Sequence, residues 1–294
     1  MPLSSPPSGS KSSAPGLIRP ARRPAGFVPG GPHPAGPQGR PELVPGPGED
    51  LCYLAGDFRI FQRQDGHRWS LDDLVTAHVA AQRVPRPPTR HLDLGCGIGS
   101  VLMMLAWRFP QSHATGVEAQ PLSAGLARRS LAYNGLSARV QLLEGDFREG
   151  LSEGVVAGGY ELVTGTPPYF DPARGVQSEK PQCGPCRFEH RGGVEAYCDA
   201  AARYMTANGL FVMVAPTDQA TRAIDAGKAA GLVPGHRLDV VPRAGKAPLV
   251  TVFAFARTSG AASTETLVVR DHESKWTPAF KEVRRAMGMP CAWS

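Results

Sequence analysis

The chain has 294 residues, 41% of them hydrophobic, enough for one sizeable core with appendages. No apolar run approaches the roughly 20 residues that a spanning helix needs, which excludes a helical membrane protein. The formal charge is +6, but residues 1–41 hold Lys11, Arg19, Arg22, Arg23 and Arg40 and no acid, so the rest carries only about +1.

Residues 1–50 are dense in Pro, Gly and Ser and read as a disordered basic tail, with one folded domain over 51–294. The prolines preclude the amphipathic helix of a mitochondrial presequence, so a plain disordered extension is the better reading, with an aid to RNA contact as one role open to it. There is no secretory apolar segment. The six cysteines form no repeated ladder and are expected to be reduced thiols in a cytoplasmic protein.

Residues 52–69 read as short strands and turns. The spacing predicts a helix over 71–83, with Ser70 as its N-cap, Asp72 and Asp73 in its first turn, and Pro85, Pro87 and Pro88 beyond its end. From there strand and helix alternate. Strand 91–94 leads into a glycine loop and a helix over 100–109; strand 114–117 ends at Glu118 before a helix over 122–133. Asn134-Gly135 is a C-cap pair for that helix. Strand 140–143 precedes Asp146, and strand 161–164 precedes Thr166-Pro167-Pro168-Tyr169. A helix over 194–206 stopped by Asn208-Gly209, strand 210–215, helix 218–230, and strands near 237–242 and 249–256 complete the order. The expected fold is α/β: a mostly parallel twisted sheet with helices on both faces and an antiparallel C-terminal strand, Rossmann-like in architecture. Ligands in such sheets bind at the C-terminal strand ends, where the glycine loop, Glu118, Asp146 and Thr166 all fall.

The loop Asp93-Leu94-Gly95-Cys96-Gly97-Ile98-Gly99 does not match the dinucleotide fingerprint, because Ser100 stands at the third glycine position. Its D-x-G-x-G-x-G pattern resembles the first motif of class I S-adenosylmethionine methyltransferases. The resemblance makes Gly95, Gly97 and Gly99 the points of close backbone approach to the cofactor's methionine part. It makes Asp93 the organiser of the loop and a partner of the ammonium group, directly or through water. Glu118 is placed to accept hydrogen bonds from both ribose hydroxyls, and Asp146 to meet the adenine amine, with Phe147 packing on the ring.

An exocyclic base amine is a poor nucleophile because its lone pair is delocalised into the ring. Methylating it requires acceptors that hold the amine hydrogens and turn the lone pair toward the methyl group. In Asn-Pro-Pro-Tyr turns the Asn oxygen and the next carbonyl do this, and the aromatic ring stacks on the base. Here Pro167 and Tyr169 match the last two roles, while Thr166 offers a hydroxyl oxygen on a shorter arm. Cytosine-N4 DNA methyltransferases carry a Ser-Pro-Pro-Tyr relative of this turn.

From residue 57 to the end the chain is similar to the bacterial tRNA(valine) adenine-N6 methyltransferases. The likeness is carried by Phe61-Gln62, by Asp65-Gly66-His67-Arg68-Trp69-Ser70-Leu71-Asp72, by the glycine loop, Glu118, Asn134-Gly135, Asp146 and Pro167-Pro168-Tyr169-Phe170. It resumes at Arg187-Phe188-Glu189-His190, at 206–215, and at the last strand and helix (266–270 and 277–287). The resemblance implies S-adenosyl-L-methionine as cofactor and adenine in a tRNA anticodon loop as substrate. It adds Ser70 and Asp72 to the cofactor-binding residues, and Tyr169, Phe170, Arg68 and Arg187 to the substrate-binding ones. Thr166 in place of Asn and the long tail depart from the family. Two alternatives stand beside this reading: a relative that keeps the fold but has lost the amine-holding Asn, and an enzyme for another acceptor, guanine N2 or a protein glutamine.

Cys183-Gly184-Pro185-Cys186 has the thioredoxin spacing but falls in the loop after the catalytic turn, where incidental thiols are the better reading. One cysteine pair is half a zinc site, and the histidines show no ligand spacing, so no metal is expected. Arg59, Arg63, His67 and Arg68 form a basic cluster ahead of the glycine loop, suited to a solvated face or to phosphates.

Overall fold

Residues 15–20, 23–24, 26–149, 155–169, 192–258 and 260–291 are described by the structure, a computed structural model. Three short strands, β1 (Leu17–Ile18), β2 (Glu49–Tyr53) and β3 (Arg59–Arg63), make a small sheet beside the main one. The main sheet contains β4 (Arg90–Leu94), β5 (His113–Glu118), β6 (Val140–Glu144), β7 (Tyr160–Gly165), β8 (Met205–Pro216), β9 (Val233–Val241), β10 (Val250–Ala256) and β11 (Ser263–Val268). Its spatial order is β11-β9-β10-β8-β7-β4-β5-β6.

Period-2 alternation sends the central strands' side chains into two separate cores. Val212, Val214, Val252 and Ala254 join the core on one face, with α1 (Leu71–Arg83), α2 (Ser100–Arg108) and α3 (Pro121–Tyr133). Phe211, Met213, Ala215, Phe253 and Phe255 point the other way, onto α4 (Val194–Tyr204) and α5 (Ala220–Ala229). Burial on both faces explains why these strands are unbroken apolar runs. A sixth helix, α6 (Pro278–Ala286), adds Phe280 and Val283 to the first core.

The sheet is mostly parallel, as expected, but its antiparallel strand is not the last one. β10 inserts antiparallel between β8 and β9, and β11 then runs parallel to β9 at the edge. A second difference lies at the end of α4. The helix stops at Tyr204, and Met205 is already paired with Tyr160 of β7. Asn208-Gly209 therefore lies inside β8, where the pairing shifts register between Tyr160 and Leu162 and residues 207–208 are exposed. The buried stripe of α4 ends at Tyr204, so nothing holds the next turn helical once the ladder captures Met205.

The expectation of disorder over 1–50 does not hold for the described residues of that segment. Leu17 and Ile18 pair with Asp50 and Leu51, and Leu43, in a short 3-10 turn, is fully buried. Arg129 of α3 ties this strap down: it donates to the carbonyls of Glu42 (2.6 Å) and Val44 (3.0 Å) and to Glu49 (2.7 Å). Asp50, with no exposed surface, accepts from Arg19 (2.7 and 3.1 Å) and Arg68 (2.8 Å) through one oxygen. Burial opposes its ionisation, but the two guanidinium groups outweigh that and hold its carboxyl below the usual range. Proline density helps here, because a chain already restricted when unfolded loses less entropy on docking.

Trp107 at the end of α2 packs beside the turn between β2 and β3, where Gly56 has φ +50°. A Cβ at Gly56 would stand 2.4 Å from the Trp107 Nε1. Gly56→Ala is expected to cost about 3 kcal/mol, from overpacking together with left-handed backbone strain. Urea denaturation checks this, and a loss under about 1 kcal/mol would show that the contact yields easily.

Candidate active site

The chain passes from β4 to β5 and β6 on one side, then crosses to β7 on the other. The crevice where this order reverses, at the strands' C-terminal ends, is where such sheets bind ligands. A cavity opens there. It is lined by Gly95 and Gly97 of the loop after β4, Glu118 ending β5, Gly145, Asp146 and Phe147 after β6, and Thr166 and Pro168 after β7.

Gly95, Gly97 and Gly99 all have left-handed φ values, of +58°, +57° and +86°. A Cβ on Gly95 would stand 2.2 Å from the hydroxyl of Tyr197, whose ring from α4 packs under the loop and edge-on to Phe147. At Gly97 and Gly145 an added Cβ meets only open space, so both leave the cavity unobstructed. Glu118 stitches the loop to β5. Its two oxygens accept from the amides of Gly97 (2.9 Å) and Gln120 (2.7 Å), and the residue is almost wholly buried. A carboxylate oxygen has capacity for a second donor, so a diol arriving at this strand end finds paired acceptors.

Asp93 lies beneath the loop, 2% exposed, and is not among the lining residues. It accepts from Thr164 Oγ1 of β7 (2.7 Å) and from the Leu102 amide of α2 (3.1 Å). Burial raises its carboxyl to about 7. The acid that does line the cavity on this side is Asp73. Its Oδ2 accepts from the Ser70 amide (2.8 Å), closing the capping box of α1, and burial raises it to about 6. The spacing Ser70-x-x-Asp73 is the signal that could have singled it out. Ser100, Gln120 and Tyr197 also line the cavity and were not singled out as site residues from sequence; Tyr197 is brought in by the packing of α4, and His67 is the one member of the basic cluster that lines the cavity.

Ser70 caps α1, and Asp72 accepts the Tyr169 hydroxyl (2.8 Å); neither lines the cavity. That bond crosses 97 positions and holds the end of the Thr-Pro-Pro-Tyr turn against α1. From the other side Gln219 donates to the Tyr169 carbonyl (2.9 Å). Burial, and then the charge of Asp72, pushes the Tyr169 hydroxyl well above its ordinary value, so it stays protonated and donates. Tyr169 is half-buried and does not itself line the cavity; Thr166 and Pro168 do. Asp146 lines it too, with its carboxylate paired to Arg148 (2.6 and 2.9 Å). Arg68 is turned away toward Asp50. Phe170 and Arg187 lie outside the described residues, as do Cys183 and Cys186. Among the described residues there is no cluster of His, Cys, Asp and Glu that could hold a metal, and no helix is long and apolar enough to cross a membrane.

A glycine loop over an open cleft, a buried Glu bound to the loop amides at the second strand end, and an acid and an aromatic ring after the third are the arrangement of a class I S-adenosyl-L-methionine-dependent methyltransferase. Residues 92–165, from β4 to the end of β7, match the methyltransferase domain family. The chain is 26% identical over 195 residues to the tRNA1(Val) (adenine(37)-N6)-methyltransferase of Haemophilus influenzae, covering 66% of this chain and 81% of that one. It is 28% identical over 133 residues to the protein of the same name from Porphyromonas gingivalis, covering 45% of this chain and about half (51%) of that relative. A crystal structure described as a predicted O-methyltransferase of Agrobacterium tumefaciens shares the fold, with a TM-score of 0.57 at 21% identity over 74% of this chain and 98% of that one.

Asp73 and Asp93 both have folded-state values above the 3.8 of a free carboxyl. The folded protein therefore keeps protons that the unfolded chain releases, and this contribution to stability falls as pH rises from about 4 to 7. His78 and His91, lowered by burial to about 4, act in the opposite sense between about 4 and 6.5. The carboxyl effect is isolated by difference: Asp93→Asn is expected to gain stability relative to the unsubstituted protein between pH 5 and pH 8. Chemical denaturation at both values checks it, and a pH-independent difference would contradict the buried protonated carboxyl.

Proposed function

We propose that this methyltransferase acts on the N6 amine of adenine in a tRNA, in the cytoplasm. The observation that carries the reading is that Thr166 and Pro168 share one cavity with Gly97 and Glu118, so an acceptor held at the turn faces a cofactor held at the loop. The likeness to the adenine-N6 methyltransferases of H. influenzae and P. gingivalis supports the choice of base and RNA.

When bound, S-adenosyl-L-methionine supplies an electrophilic methyl group that an aligned lone pair can accept. The protein's part is binding and alignment. Glu118 would take the ribose hydroxyls, Gly95, Gly97 and Gly99 would admit the methionine part, and Asp73, the acid that lines the cavity on this side, would meet its ammonium group. Asp146 and Phe147, which line the cavity after β6, would hold the adenine of the cofactor. At the turn, the Thr166 hydroxyl oxygen and the Pro167 carbonyl accept the two hydrogens of the substrate amine, which leaves its lone pair directed at the methyl group. No other described residue engages the Thr166 hydroxyl. Tyr169 is a positioning residue: it lies outside the cavity lining, its bond to Asp72 sets where the turn stands, and a shift of about 1 Å there costs about a hundredfold in rate.

Transfer of labelled methyl to unmodified tRNA, followed by nucleoside analysis, tests the proposal. N6-methyladenosine is the expected product. Tyr169→Phe, which keeps the ring and loses the bond to Asp72, is expected to lower kcat about tenfold, and Tyr169→Ala about a hundredfold or more. Cofactor binding without any transfer to tRNA would overturn the assignment. It would also favour a relative in which Thr166 no longer holds the amine.

A second prediction concerns the cofactor alone. Asp73→Asn is expected to weaken S-adenosyl-L-methionine binding about tenfold at pH 8, through the loss of one charge-assisted contact. The loss should be smaller at pH 5, where Asp73 is largely protonated. Calorimetric titration checks it, and equal affinity at pH 8 would remove Asp73 from the ammonium site.

A further inference from the structure

A second cavity lies on the opposite side of the segment that precedes α1. It is walled by Arg19 and Arg23 of the N-terminal strap, Arg68 and Trp69 of the segment before α1, and Trp276 and Arg284 near the C-terminus. Three observations give it a chemistry. First, its charge is unbalanced. Arg19 and Arg68 share a single oxygen of Asp50, and Arg23 pairs with Asp57. Arg284 has no carboxylate partner among the described residues, only the Pro290 carbonyl (3.0 and 3.2 Å) and the face of Trp276 (4.1 Å). Four guanidinium groups thus face two carboxylates, and the surplus suits an anion.

Second, two indole rings share the cavity with the arginines. Trp69 and Trp276 offer flat apolar walls, and the Arg284 guanidinium lies 4.1 Å from the centre of the Trp276 ring, a pairing of cation and ring of the kind that unpaired bases meet. A flat ring beside an anion is the chemistry of a nucleotide. Third, the two cavities share one stretch of chain. His67 and Asp73 face the reaction cavity, while Arg68 and Trp69 face the second one. Consecutive residues stand about 3.8 Å apart, so about one backbone thickness divides the cavities at His67 and Arg68.

We propose that the second cavity seats a nucleotide of the RNA substrate next to the methylated base. Its phosphate lies against Arg19, Arg68 and Arg284, and its base against Trp69 and Trp276. The proposal rests on RNA being the acceptor. It gives the strap a role: Arg19 and Arg23 come from the segment that departs from the family likeness, and they line one side of the cavity. Asp50 is then the positioning residue, holding Arg19 and Arg68 side by side.

The test uses the full chain saturated with S-adenosyl-L-methionine, so that the reaction cavity is filled. Equilibrium binding of unmodified tRNA is measured for the parent protein, Arg284→Gln and Trp276→Leu, with cofactor affinity as the control for folding. Both variants are expected to bind tRNA about tenfold more weakly and to raise KM for tRNA with kcat unchanged. Arg284→Gln should also reduce the slope of log affinity against log salt by about one, and Trp276→Leu should leave it unaltered. Unchanged tRNA affinity in both variants, in an enzyme that methylates tRNA, overturns the subsite and leaves the proposed function standing. Weakened tRNA binding in variants of a protein that transfers no methyl group to tRNA keeps the subsite and removes the proposed reaction. Adenosine monophosphate separates the two sources of a nucleotide. If it quenches tryptophan fluorescence at sub-millimolar concentration, and only that response is lost in the variants, the cavity serves a free nucleotide and the proposal fails.

Discussion

The carboxyl group of Asp93 is the constraint around which the rest of the site is arranged. It sits under the glycine loop, bridging the Thr164 hydroxyl of β7 and the Leu102 amide of α2. Those two partners lie on either side of the point where the sheet's strand order reverses, so one buried group sets the width of the crevice. Burial keeps it weakly acidic, and a carboxyl at about 7 can hold both partners without a full unpaired charge in the core. With β4, β7 and α2 locked together, the loop from Gly95 to Gly99 has little choice of path. Glu118 removes what remains by binding the Gly97 amide.

The same division of labour recurs at the Thr-Pro-Pro-Tyr turn. Two prolines stiffen Thr166–Tyr169 locally, but they do not say where the turn stands. That is decided by Asp72 and Gln219, which grip opposite ends of Tyr169 from α1 and from the 3-10 turn after β8. The segment before α1 is thus a hinge of function. One face of it closes the reaction cavity, the capping box it forms with α1 presents Asp73, the neighbouring Asp72 anchors Tyr169, and its other face lines the second cavity.

The N-terminal strap shows the limit of composition as a guide. A stretch rich in Pro, Gly and Ser lacks the apolar surface to fold by itself, and the reading of disorder followed from that. It docks because the domain supplies what the strap lacks. Arg129 offers three donors to its backbone and to Glu49, β2 offers an edge to Leu17 and Ile18, and buried Asp50 offers a counter-charge to Arg19. None of these partners is within 30 residues of the strap residue it meets except through the fold, so no local pattern could have shown them.

Local chemistry alone determined the strand–helix alternation, the glycine loop, Glu118 at the second strand end, Asp146 and Phe147 at the third, and the Pro-Pro turn. Each depends on backbone conformations or periodicities that short segments dictate. Tertiary structure decided what each acid does. Asp93 and Asp73 are equally legible as carboxylates, yet packing buries the first under the loop and turns the second into the cavity. Tyr197 entered the site only because Gly95 and Gly165 leave room for its ring as α4 packs back across the sheet. The place of β10, antiparallel and inside the sheet rather than at its edge, was likewise beyond the reach of the sequence. Pairing energy depends on which strands meet, and that is settled only when the whole chain has packed.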